Sequence, residues 1–221
     1  MTVLVTAATA FEMQALDEAG GLAVPVHRLI TGIGPTETAF ALTAFLCRHA
    51  GQIRAVLNFG IAGAFPASPA NLLDICLADR EILGDFGVLL PERIERFAER
   101  GLAVRDSFML DAELCSAAAR HLAEAGIRCH QGTFVTVSCA SGTAARAQWL
   151  GNELHGLCEN MEGAAAARVC EAFQLPLLEL RCISNIAGEP DKKNWRLREA
   201  CSRAGQAAAL LLNNERLFSR F

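Results

Sequence analysis

The chain has 221 residues, and its 20 Lys and Arg against 24 Asp and Glu give a formal net charge of −4 at pH 7. Hydrophobic residues make up 52% of it and charged residues 20%, which excludes an intrinsically disordered chain. The basic residues are scattered, so the clustered positive charge that nucleic-acid binding needs is missing. The length fits one domain, spanning residues 1–221, with a substantial core.

The cysteines and the apolar runs favour the cytoplasm. The 9 cysteines are an odd number without a CxxC or Cys/His ligand pattern, so most are interpreted as core residues in a reducing compartment. The chain starts with a strand-like run at Val3–Thr6 and lacks the basic flank and cleavage site of a signal peptide. The other apolar runs are too short or too interrupted to cross a bilayer. We expect a cytoplasmic protein with no membrane partner.

Short β-rich runs alternate with Ala- and Leu-rich helical stretches. The alternation predicts an α/β fold, a three-layer α/β/α sandwich with a central mixed twisted sheet, in which small-molecule sites lie at the carboxyl ends of strands. The predicted strands are Val3–Thr6, Arg54–Phe59, Leu72–Leu83, Thr133–Cys139 and Pro176–Ser184. The predicted helices are Thr36–His49, Asp111–Glu124 (capped by Asp111 and ended by Gly126), Thr143–Leu150, Asn160–Phe173 and Arg196–Phe218.

Several strand ends share one design, in which an apolar strand leads through small or polar residues into a helix. Glycine in such turns lets the backbone approach a ligand closely. The dinucleotide fingerprint GxGxxG is incomplete around Gly32 and Gly34, and GxxxxGK[ST] is absent. The sequence therefore supports neither a nicotinamide-dependent dehydrogenase nor a P-loop ATPase.

In their order and spacing, the strand ends resemble the purine nucleoside phosphorylase and nucleosidase superfamily. The matching pieces are Glu12 after the first strand, TGIGP, NFGIAGA, ENMEGAA and ISN, and the resemblance extends to about Trp195. NMEGAAAA together with RCISNIAG is most similar to the futalosine hydrolase family. The resemblance implies an N-glycosyl hydrolase that releases hypoxanthine from futalosine, a nucleoside of one route to menaquinone.

The resemblance implies roles for three residues of the sugar site. Glu12 is expected to act as the general base that orients and deprotonates the attacking water. Glu162 is expected to accept hydrogen bonds from the ribose hydroxyls, and Met161 to pack against the sugar. Without the resemblance, Glu12 is a solvated residue opening a helix, and Met161 and Glu162 are a core Met and a first-turn Glu.

Asn185 is expected to select the purine base. The adenine-specific nucleosidases of the family carry Asp at the matching position, where a protonated acid donates to N7 and accepts from the 6-amino group. An Asn amide instead donates two hydrogen bonds, to N7 and to a 6-oxo oxygen, which favours hypoxanthine. From the residues alone, Asn185 is a turn Asn that ends a strand. Ser184 is expected to orient Asn185 or to cap the following turn.

The remaining expected site residues are less closely defined by the motifs. Gly63 is expected to be one of the substrate-binding residues, and Phe134 and Val137 are expected to form the wall that contacts the purine. Glu179 and Arg181 lie on one face of a predicted strand, so they either pair with each other or Arg181 faces the site.

Water is expected as the nucleophile, since Ile61 stands where some phosphorylases carry Ser and the strand over 72–83 ends in Ile82-Leu83 without an Arg. Two alternatives remain: another nucleosidase or phosphorylase, acting on inosine or on methylthioadenosine or S-adenosylhomocysteine, and a noncatalytic nucleoside-binding protein. No metal or cofactor is expected, because carboxylates and Asn suffice for the chemistry. The resemblance also implies a homo-oligomer whose partner helps to close the pocket around a small nucleoside.

Overall fold

A computed structural model of the chain describes residues 1–49, 51–91 and 93–219. The strands of these residues are β1 (Thr2–Ala7), β2 (Val26–Ile30), β3 (Ile53–Ala64), β4 (Ile75–Leu83), β5 (Gly87–Leu89), β6 (Ile94–Arg96), β7 (Ser107–Met109), β8 (Cys129–Thr136), β9 (Gly156–Asn160) and β10 (Leu177–Ile186). The helices are α1 (Ala10–Glu18), α2 (Pro35–Arg48), α3 (Ala112–Glu124), α4 (Ala144–Leu154), α5 (Gly163–Ala172) and α6 (Leu197–Leu212).

The central sheet is mixed, as predicted, and it closes on itself. Its strand order is β10-β4-β8-β9-β3-β1-β2, and β10 also pairs with β3, so five of the strands form a ring. The pairs β10–β4 and β3–β9 are antiparallel, whereas β1–β3, β10–β3, β4–β8 and β8–β9 are parallel. This closure brings the ends of β3, β9 and β10 to one place.

Helices cover both faces of the sheet, which confirms the predicted sandwich. The apolar sides of α1, α3 and α6 share one core cluster with β1, β3 and β10, and α2 and α5 build a second cluster on the other face. At Gly205 of α6, a Cβ would lie only 2.4 Å from the carbonyl oxygen of Ala15 in α1, so this glycine permits the close packing of the two helices. No helix in the described ranges is long and apolar enough to span a bilayer.

Two predicted boundaries are wrong for reasons that concern the site. The helix predicted from Asn160 begins at Gly163, because Asn160 ends the unpredicted strand β9 and its Oδ1 accepts from the N–H groups of Glu162 and Gly163. The strand predicted to end at Phe59 continues to Ala64. A Cβ at Gly60 would lie 2.5 Å from Glu12 Oε1, so a glycine inside β3 leaves room for that carboxylate.

The other predicted elements are confirmed with shifted ends. Asp111 caps α3, accepting from the N–H of Leu114 at 2.7 Å, and Gly126 follows the helix with a φ of 78°. The terminal helix ends at Leu212 and does not reach Phe218, since Asn213 follows it and accepts a 2.7 Å hydrogen bond from the N–H of Ala23.

Candidate active site

An apolar cavity of about 410 Å³ lies where β1, β3, β9 and β10 end. Most of the sequence-predicted site residues line it: Glu12, Gly63, Val137, Met161, Glu162, Ser184 and Asn185. Segments far apart in sequence meet here because ring closure of the sheet collects their strand ends.

Of the two residues expected to form the purine wall, one lies at the cavity and the other does not. Val137 lines the cavity, whereas Phe134 is fully buried in the core cluster beneath α2 and α5 and is not part of the lining. Successive side chains of a strand point to opposite faces, so residues 134 and 137 cannot both face one pocket from a regular strand. The placement of Phe134 in the wall is therefore corrected.

Glu12 caps the N-terminus of α1 and also lines the cavity. It forms a capping box with Thr9, whose N–H and hydroxyl donate to Oε2 at 3.0 and 2.8 Å, while the N–H of Ile61 donates to Oε1 at 3.2 Å. The side chain is buried, which raises its pKa, and the nearby Arg181 partly offsets this shift. The carboxylate is thus held from two sides, and it is not the solvated residue that its position at a helix start alone would suggest.

Glu162 joins two segments that the sequence analysis singled out. Its Oε1 accepts from the N–H of Gly34, in the TGIGP turn, at 3.1 Å, and its Oε2 accepts from Nη1 of Arg181 at 3.1 Å. Each carboxylate oxygen keeps a second lone pair, so the group can still accept from a ligand. Gly34 has a φ of 95°, a backbone conformation that favours glycine.

Arg181 fulfils both alternatives that the sequence left open. Its Nε and Nη2 donate to Glu179 Oε1 at 3.0 and 2.9 Å, and its Nη1 reaches Glu162. The side chain is buried, lines the cavity and also interacts electrostatically with Glu12. The one buried cation therefore balances the negative charge of three carboxylates, those of Glu12, Glu162 and Glu179. Buried carboxylates need such a partner, so Arg181 is a central residue of the site.

Behind Arg181, Glu179 has a buried carboxyl partner, Glu81, which sequence reasoning missed. Glu81 accepts from Thr136 Oγ1 and Asn160 Nδ2, both at 2.7 Å, and both Glu81 and Glu179 are fully buried. The two carboxyl groups meet over Gly163, where a Cβ would lie 2.0 Å from Glu81 Oε1 and 2.4 Å from Glu179 Oε2. Burial, and then the charge of Glu179, raise the pKa of Glu81 well above its ordinary value, so we expect the pair to hold one proton.

We expect Glu81→Gln to cost about 1–3 kcal/mol in the free energy of unfolding, because the amide nitrogen can donate to Glu179 but cannot accept one of the two hydrogen bonds that Glu81 accepts. Glu179→Gln is the matched control and should cost more, since it removes the main partner of Arg181. Because the pKa of Glu81 is raised, the wild type should lose stability as pH rises towards and through it, and Glu81→Gln should lose less. Urea unfolding at a series of pH values from the ordinary pKa of a glutamate upward measures this, and equal costs for the two variants would contradict the shared proton.

Ser184 and Asn185 form one polar side of the cavity. Ser184 Oγ lies 2.8 Å from Asn185 Oδ1, and the Asn185 amide nitrogen lies 3.2 Å from the carbonyl oxygen of Ile186. A hydroxyl that donates to Oδ1 fixes the orientation of the amide and leaves one N–H free for a ligand. Gly63 makes space for this group, because a Cβ there would lie 3.0 Å from Asn185 Nδ2.

The α/β fold brings three cavity-lining carboxylates, those of Glu12, Glu159 and Glu162, together with one arginine and an oriented amide in a single site. The chain belongs to the phosphorylase superfamily, whose family model matches residues 18–214.

Individual relatives are consistent with this family. A futalosine hydrolase of Thermus thermophilus is 36% identical over 85% of this chain and 81% of its own length. A 5'-methylthioadenosine/S-adenosylhomocysteine nucleosidase of Mycobacterium bovis is 30% identical over 84% of this chain and 80% of its own length. A mutant nucleosidase of Helicobacter pylori, solved with 5'-methylthioadenosine in its active site, has a TM-score of 0.81 at 17% identity over 100% of this chain and 99% of its own, and supports the fold. The enzyme is thus related to nucleosidases that cleave N-glycosidic bonds.

Proposed function

We propose that this enzyme hydrolyses the N-glycosidic bond of futalosine and releases hypoxanthine. The observation that carries the proposal is the buried Asn185, whose amide is held by Ser184 with an N–H left for a purine. That one N–H can be shared between N7 and a 6-oxo oxygen, both of which are acceptors, whereas the 6-amino group of adenine is a donor. The identity to a futalosine hydrolase over most of the chain supports the same substrate.

The reaction requires an activated water, a held ribose and a stabilised leaving base. Glu12 removes the proton of the water as it attacks the anomeric carbon. Glu162, aligned by Arg181 and Gly34, accepts hydrogen bonds from the ribose hydroxyls, and Met161 packs on the sugar. Asn185 donates to the purine as it takes up negative charge, which lowers the barrier to its departure.

The cation content of the cavity supports water as the nucleophile over phosphate. Among the described residues that line the cavity, Arg181 is the only Lys or Arg, and it is already bound to two carboxylates. Arg80 of β4, the nearest basic residue to the end of that strand, donates to Thr133 Oγ1 and is not part of the lining. A phosphate dianion placed beside Glu12 and Glu162 would lack a free cationic partner.

A cytoplasmic homo-oligomer is part of the proposal. The apolar rim residues Phe11, Ile33 and Leu197 are 47%, 61% and 40% exposed at the cavity mouth. A second copy that covers them would shield the reaction from bulk water.

The direct test is base release from futalosine, inosine and methylthioadenosine, each with and without phosphate, followed by chromatography. We expect phosphate-independent hypoxanthine release from futalosine, with little release from inosine. Adenine release or phosphate dependence would assign one of the sister activities, and tight nucleoside binding with no release from any substrate would indicate a noncatalytic binding protein.

Asn185→Asp is expected to lower kcat/KM on futalosine by about tenfold or more, because a carboxyl group donates to the purine acceptors only when it is protonated, whereas an amide always has an N–H to donate. The ratio of activity on 6-oxo to 6-amino nucleosides should fall. Asn152→Asp, the same change at an exposed position of α4, is the control. An unchanged ratio in Asn185→Asp would rule out Asn185 as the reader of the base.

A further inference from the structure

Glu159 is a cavity-lining carboxylate to which the proposed reaction gives no role. It lies in β9 and is 5% exposed. Its Oε1 accepts from the N–H of Ser141 at 2.9 Å, and its Oε2 accepts from the Ser141 hydroxyl at 2.6 Å. Both donors come from one residue of the loop after β8, so each carboxylate oxygen keeps a lone pair for a further donor.

Glu159 and Asn185 face each other across Gly63. Gly63 of β3 pairs with Glu159 of β9 on one side and with Asn185 of β10 on the other. A Cβ at Gly63 would lie 3.5 Å from Glu159 Cγ and 3.0 Å from Asn185 Nδ2, so both side chains pack over the space that this glycine leaves. An amide donor and a carboxylate acceptor thus flank one end of the cavity.

The Watson–Crick and Hoogsteen edges of the two purines differ in the groups they present to such a pair. Hypoxanthine presents acceptors at N7 and O6 and a donor at N1–H, whereas adenine presents an acceptor at N7, a donor at its 6-amino group and an acceptor at N1. A carboxylate beside N1 would therefore bind the N1–H of hypoxanthine and repel the lone pair on N1 of adenine.

We propose that Glu159 is a second specificity-determining residue, which accepts a hydrogen bond from N1–H of a 6-oxopurine while the remaining N–H of Asn185 is shared by its N7 and O6. The proposal deepens the proposed function and rests on its purine-binding part. It requires a charged acceptor: burial raises the pKa of Glu159, and the two hydrogen bonds from Ser141 partly offset that shift in favour of the charged form.

The test is calorimetric binding of free hypoxanthine and free adenine to the wild type, Glu159→Gln and Ser141→Ala. Glu159→Gln can keep both contacts to Ser141 but loses the charge, so hypoxanthine affinity should fall by about 10- to 100-fold and adenine affinity should hold or rise. Ser141→Ala keeps the carboxylate and should weaken both bases to a similar, smaller extent. Melting temperatures of the variants check that each is folded.

Two outcomes would overturn the assignment of Glu159. One is an unchanged preference for hypoxanthine over adenine in Glu159→Gln. The other is an equal loss for both bases that matches the loss in Ser141→Ala, as expected if Glu159 only holds the loop. Free bases are used so that this result is independent of futalosine turnover. A shifted preference in an enzyme that leaves futalosine intact would uphold Glu159 and reject the proposed substrate.

Discussion

Glu12→Gln is expected to lower kcat on futalosine by about 10²- to 10⁴-fold while leaving nucleoside binding nearly unchanged. Gln has the shape of Glu, and its Oε1 can still accept from Ile61 or Thr9, so the start of α1 should persist. The Gln side chain lacks a carboxylate oxygen basic enough to take a proton from water. The measurement is steady-state hypoxanthine release together with calorimetric nucleoside binding.

Glu18→Gln is the matched control, because it makes the same change on the exposed end of the same helix. Turnover in Glu12→Gln at the level of this control would remove Glu12 from the mechanism. Loss of both turnover and binding would point to collapse of the cavity wall.

The same assignment predicts the pH dependence of the wild type. Burial raises the pKa of Glu12 above its ordinary value. As pH falls, Glu12 should therefore become protonated, and cease to act as a base, at a higher pH than an exposed Glu. On the acid side, kcat/KM should fall as pH drops through that raised pKa, since the free enzyme must have Glu12 ionised. A profile in Glu12→Gln that keeps the wild-type acid limb would show that another group causes it.

Arg181→Met is expected to cost about 3–5 kcal/mol in the free energy of unfolding and to abolish measurable activity. The side chain is 1% exposed and bonds to Glu162 and Glu179, with Glu12 close by. Met fills a similar volume but supplies no charge, so the carboxylates would remain buried without a cation. Urea unfolding monitored by circular dichroism measures the loss.

Arg105→Met, which removes the cation of an exposed pair with Glu171, is the control and should change stability little. The cost of Arg181→Met should shrink as pH falls, because unpaired buried carboxylates then bind protons and lose their charge. A stability equal to that of the control across this pH range would mean that the carboxylates do not depend on Arg181.

Local sequence signals predicted the ends of helices, which are formed by hydrogen bonds between residues close in the sequence. Asp111 caps α3 and Gly126 follows it, as their residue types indicate, whereas the capping box of Thr9 and Glu12 was found only in the structure. The family resemblance carried by the ordered strand-end segments also implied that Glu12, Glu162 and Asn185 form one site, and all three line the cavity. These predictions held because short-range hydrogen bonding and strand polarity are encoded within each segment.

Only the tertiary structure decided which side chains meet behind and beside these groups. Glu81 and Glu179 are on strands β4 and β10, and Glu159 and Asn185 flank Gly63 from β9 and β10. No spacing along the chain predicts these pairs, since they depend on β10 inserting between β3 and β4 and on the register of each strand. A shift of the strand register by one residue would turn such side chains to the opposite face of the sheet. Phe134 shows the importance of the face, because its side chain points away from the cavity into the core. The sequence by itself determined the fold class and the residues at the strand ends, and sheet closure with its register determined their partners and protonation.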